Sequence, residues 1–173
     1  MDDAAVVSRQ LGRGPRAFRR VVVRCPFGRP AVTEQEPYDE DGKPFPTTYW
    51  LTCPHLVAAV SRLEAAGGVE RWSRAARLDP ELAESLWQAT DEQRTVRREL
   101  ARRELARQGA GGHTTGDGSA SLDLGIGGSS RQGSLKCLHA HVAFALARPG
   151  YLVGERILAE VEAPWPADEC CSA

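Results

Sequence analysis

The chain has 173 residues, 42% hydrophobic and 26% charged, which suits one domain of ordinary size with a substantial core. Lys plus Arg number 22 against 23 Asp plus Glu, a formal net charge of -1, so no global field is available to hold nucleic acid or an anionic membrane. No apolar run reaches the ~20 residues that span a bilayer, and the acidic start Met1-Asp2-Asp3 lacks the basic n-region of a signal peptide, so a cytoplasmic protein is expected.

Residues 2–11 place acids ahead of apolar groups and predict a short helix, stopped by Gly12 and by Gly14-Pro15. Residues 18–24 are β-branched and basic and predict a strand running into Cys25. Pro26, Gly28 and Pro30 force a turn, and Ala31–Glu34 returns. After the Asp41-Gly42 turn, residues 45–52 complete a third strand. Thr52-Cys53-Pro54 opens a helix with apolar Leu56, Val57, Val60 and Leu63 on one face, ended by Gly67-Gly68. Residues 69–77 are a short amphipathic stretch, and Asp79-Pro80 starts a helix to about residue 108. Its Arg/Glu-rich second half is expected in solvent or over the surface. Residues 109–134, rich in Gly, Ser and Thr, are expected to be a flexible loop that includes His113. Helices at 135–147 and 151–162 follow, then a loose tail from 163 to 173.

The reading is therefore α+β: one domain over residues 5–162, with a small antiparallel sheet from 18 to 52 packed against helices 54–66, 80–107, 135–147 and 151–162.

Five cysteines in a reducing compartment point to metal binding, catalysis or burial rather than disulfides. Cys137 and His141 are four apart on a predicted helix and so share one face. Cys25 leaves a strand at a tight turn, and Cys53 sits at a helix mouth, where the dipole favours thiolate. Together Cys25, Cys53, Cys137 and His141 would make a tetrahedral Cys3His site, for zinc in preference to an iron–sulfur cluster. Free cysteines are more often buried small hydrophobes, and that reading stands beside the metal one. His139 points elsewhere on the helix, and His55 follows Cys53 by two; both are candidates for an outer contact. Gly125 to Ser134 enters the predicted helix with Lys136 in its first turn. Gly127, Gly128, Arg131 and Lys136 are thus candidate anion ligands, although the run matches neither a Walker A loop nor a dinucleotide fingerprint. Arg13, Arg16, Arg19, Arg20 and Arg24 form a second candidate anion patch, weakened by flanking aspartates. Cys170 and Cys171 are expected to be peripheral.

Four segments carry a resemblance: Arg24-Cys25-Pro26-Phe27-Gly28-Arg29-Pro30-Ala31-Val32, Pro44 to Pro54, Ser61-Arg62-Leu63-Glu64-Ala65-Ala66-Gly67 and Lys136-Cys137-Leu138-His139-Ala140-His141. In this order they resemble the actinobacterial "domain of unknown function" 501 family over most of the chain. The resemblance implies no activity. Members of that family are typically encoded beside a septum formation initiator and an exopolyphosphatase-like phosphatase, which implies partners in cell division or polyphosphate metabolism. The leading expectation is a binding or accessory protein with a structural metal. The alternative is an enzyme acting on a phosphorylated small molecule through the glycine loop, Lys136 and the Cys/His cluster, and the residues leave open whether there is an activity.

Overall fold

The computed structural model describes residues 2–108, 119–131 and 133–171. His113 and the rest of the stretch 109–118 lie outside the described residues. Helix α1 (Asp3–Leu11) precedes strands β1 (Phe18–Arg24), β2 (Pro30–Gln35) and β3 (Tyr49–Leu51). Helices α2 (Pro54–Ala65), α3 (Gly68–Leu78), α4 (Pro80–Gln108), α5 (Ser119–Leu122), α6 (Leu138–Ala147) and α7 (Leu152–Ala159) follow, with a 3-10 turn at Ile126–Gly128 before α6. The fold is α+β, as the sequence predicts.

The sheet is antiparallel in the order β1-β2-β3. Val21 faces Thr33 across one pair, and Val32 faces Leu51 across the other. All six residues of the central strand β2 are buried. Glu34 within it is held by Arg19 at 3.1 Å and Arg20 at 2.7 Å, which neutralises a carboxylate that burial would otherwise penalise.

The helix that organises the interior is α6. Leu138, Ala140, His141, Val142, Ala143, Phe144 and Ala145 are all buried, so the helix is apolar around its whole circumference and sits inside the fold. It packs on the sheet through Phe144 edge-to-face with Tyr49, ring centroids 5.5 Å apart. On another side it meets α7 at Gly154, where a Cβ would lie 2.4 Å from the His141 carbonyl oxygen and 2.6 Å from the Ala145 Cβ. Only glycine permits that backbone approach.

Two expectations need correction. The second half of α4 is not simply solvated: Gln93, Arg97, Leu100 and Ala101 continue the buried stripe begun by Leu82, Leu86 and Ala89. The helix predicted over 135–147 begins at Leu138 and not at 135, because Leu135 is pinned to α3. Its N–H donates to Ser73 Oγ at 3.1 Å, and that hydroxyl donates back to the Leu135 carbonyl at 3.4 Å. Among the described residues, no helix is long and apolar enough to cross a membrane.

Candidate metal centre

Helix α6 starts with Cys137 as its N-cap, in extended conformation (φ -157, ψ 124) and without a side-chain cap of its own. The capping acceptor comes from another helix: Leu138 N–H donates to Glu64 Oε1 at 2.6 Å. Glu64 lies on the α2 face that also carries Val57 and Ser61, at the 3.6-residue spacing that stacks side chains along one stripe. His139, in the first turn of α6, enters that stripe. Its Nδ1 is 3.2 Å from Glu64 Oε1 and 3.6 Å from Cys137 Sγ. Its Nε2 donates to the Val57 carbonyl at 3.1 Å, with Ser61 Oγ 3.2 Å away.

Glu64, Cys137 and His139 each present a ligand atom within 4.8 Å of the other two, and all three are partly buried. Ligands at tetrahedral angles on one zinc, with Zn–S ≈ 2.3 Å and Zn–N ≈ 2.0–2.1 Å, lie about 3.3–3.6 Å apart. The distances from Nδ1 match that spacing. The Val57 carbonyl fixes the ring so that Nδ1 faces the cysteine and the carboxylate, the outer contact a ligating histidine usually makes. The hydrogen bond with the Cys137 sulfur raises His139 to about 9 against the opposing effect of burial, and the charges of Cys137 and Glu64 and the Val57 carbonyl add to it.

The structure does not bring Cys25, Cys53 and His141 to Cys137. Because Cys137 is extended and outside the helix, the four-residue spacing to His141 no longer puts the two on one face. His141 points into the interior, where Nδ1 meets the Tyr151 hydroxyl at 2.6 Å and burial holds the ring down at about 3. Cys25 and Cys53 are buried at one end of the sheet. The sulfur of Cys25 is 4.0 Å from that of Cys170, and the sulfur of Cys53 is 3.6 Å from that of Cys171. Cys170 is thus half-buried against the core while Cys171 remains exposed, and the tail reaches the core through Trp165 and Cys170. The thiolate expected at Cys53 is also overturned. Burial pushes that thiol up to about 11, outweighing the N–H groups of Leu56 and His55 at the helix mouth. His55 itself turns to the tail, with Nε2 2.6 Å from the Ala163 carbonyl oxygen.

The glycine run also divides. Gly127 and Gly128 adopt positive φ (70 and 76) and pack inward: a Cβ on Gly127 would lie 3.1 Å from the Ala140 Cβ, and one on Gly128 3.3 Å from the Pro46 Cβ. Arg131 lines a cleft between this loop, α3 and α4, whereas Lys136 is exposed and is not among the residues lining it. In the N-terminal patch, Arg16 pairs with Asp39, Arg19 with Glu34 and Glu36, Arg20 with Glu34 and Arg24 with Asp3, so those cations are already matched by carboxylates. Glu64, the group sequence reasoning missed, had one signal: with Ser61 it forms a polar pair at i, i+3 on α2.

These features define a small α+β domain with a three-donor Cys/His/carboxylate cluster at a helix start. A match to the family described as "Protein of unknown function (DUF501)" spans residues 21–159, and the chain belongs to that family. No curated protein and no solved structure matches.

Proposed function

We propose that this is a metal-binding accessory protein in which Glu64, Cys137 and His139 hold a divalent transition-metal ion, zinc foremost. The observation that carries the reading is His139: Nδ1 lies at ligand spacing from a thiol and a carboxylate while Nε2 is tied to the Val57 carbonyl. The mixed sulfur, nitrogen and oxygen donor set suits zinc and is poor for an iron–sulfur cluster, which takes thiolates. Three protein donors leave a fourth tetrahedral position to water. Because Glu64 also caps α6, the ion would tie α2 to the start of the central helix.

The test is metal analysis of the protein purified without an affinity tag, alongside Cys137→Ser/His139→Ala and Cys25→Ser/Cys53→Ser variants. About one equivalent is expected in the wild type and in the Cys25/Cys53 variant, falling below about a tenth in the Cys137/His139 variant. Cobalt substitution adds a spectroscopic check, since thiolate ligation gives charge-transfer absorption that Cys137→Ser removes. A wild-type protein without bound metal after equilibration with zinc refutes the proposal, as does metal retained in the Cys137/His139 variant.

A further inference from the structure

A cleft of about 830 Å3 opens between α3, α4 and the loop from Gly125 to Ser134, on a side of α6 that His141 faces and His139 does not. The volume is within the range of small-molecule sites. Its lining includes Arg77, Arg94 and Arg131 and, among the described residues, no carboxylate. In a chain with 22 basic and 23 acidic residues, three guanidinium groups around one cavity are a local departure from balance. Among the described residues Arg77 pairs with Glu70, 3.9 Å away and largely exposed, which is a loose ion pair. Arg94 is aimed by its Nε–H, which donates to the Asp123 carbonyl at 2.8 Å.

The loop is internally built. Gly125 N–H donates to the Ser129 carbonyl at 2.8 Å, and Ser129 Oγ lies 3.1 Å from the Arg131 carbonyl and 3.0 Å from that of Ser134, so its one proton is donated to either. Trp87 also lines the cleft and is 52% exposed, a large ring left in water. It lies seven residues before Arg94, and so about 10 Å away along one stripe of α4. That is comparable to the reach from base to phosphates in a nucleoside diphosphate. His141 also lines the cleft, and its buried Nε2 has no hydrogen-bond partner among the described residues.

We propose that this cleft binds a phosphorylated small molecule carrying a planar ring, of the nucleotide class. Arg77, Arg94 and Arg131 hold the phosphates and Trp87 stacks on the ring. Guanidinium groups suit phosphate because their forked donors match its oxygens, and a tryptophan face is a general platform for bases. The site goes beyond the metal-binding reading and does not rest on it.

The experiment is titration of the full chain with ADP, GDP and UDP, and separately with pyrophosphate and adenosine, read by calorimetry and by tryptophan emission. At least one diphosphate should bind with Kd below about 1 mM and quench emission. Trp87→Phe should lose most of the quench. Arg94→Ala/Arg131→Ala should weaken binding by about tenfold or more, with a melting temperature within about 2 °C of wild type. Absence of binding by all three diphosphates overturns the proposal, as does affinity unchanged in the arginine variant. Equal affinity for pyrophosphate and the best diphosphate overturns the planar-ring assignment.

Discussion

Raising the pH through the titration of His139 is a direct probe of the cluster. The ring is held at about 9 rather than 6.5, first by its hydrogen bond with the Cys137 sulfur. The folded protein therefore binds this proton more tightly than the unfolded chain does. The stabilisation is complete below about pH 6.5 and is lost as the pH climbs through about 9. At full strength the gap is worth roughly 3 kcal/mol. With 20% of the side chain exposed, solvent screening leaves about 1–2 kcal/mol. Urea unfolding of the metal-free protein at about pH 6 and about pH 10 should show a loss of that size in the wild type beyond the loss in His139→Gln. Nuclear magnetic resonance of the ring protons should place the midpoint near 9. Cys137→Ser should lower that midpoint more than Glu64→Gln, because the sulfur is the larger cause. Parallel stability curves, or a wild-type midpoint near 6.5, would refute the assignment of His139 as the proton-binding hub.

Three further expectations concern the packing that holds the site. Gly154→Ala forces a Cβ against the His141 carbonyl and should cost about 2–3 kcal/mol in chemical unfolding, whereas a loss under about 0.5 kcal/mol would show that α6 and α7 are less tightly apposed. Arg97 is fully buried and bonds the Phe45 carbonyl at 2.7 Å, while its Nε and Nη1 have no partner among the described residues, and burial lowers it to about 10. Arg97→Met should therefore leave stability unchanged or raise it by about 1–2 kcal/mol; a loss above about 2 kcal/mol would mean the guanidinium is compensated in solution. Cys53, pushed up to about 11, should resist iodoacetamide near neutral pH even in the folded, tail-deleted protein, with mass spectrometry as the readout. Rapid alkylation there would overturn the burial argument.

The outline of the fold was legible because it rests on local signals. Pro54 and Pro80 mark helix starts, Gly67 adopts φ 80 between α2 and α3, and the β-branched run at Val21–Val23 makes a strand. The site was legible only in part. Cys137 and His139 were singled out, yet the pairing of Cys137 with His141 assumed a helix running through residue 137. Ser73 decides otherwise by binding both backbone groups of Leu135, a tertiary contact that no local propensity records. Glu64 was hidden for the same reason, since its role depends on α2 docking against the start of α6. The thiol at Cys53 shows the competition most plainly: helix position predicted thiolate, and burial outweighed it.

The two histidines on α6 have a consequence for how the protein meets changes in its surroundings. One ring is charged well above neutrality at about 9, the other uncharged well below it at about 3. Histidine is ordinarily the side chain whose protonation follows physiological acidity. Here an excursion of about a unit on either side of neutral alters neither charge. The central helix is thus insulated from such fluctuations, and under the proposed function its response would be reserved for a metal ion that displaces the proton from His139.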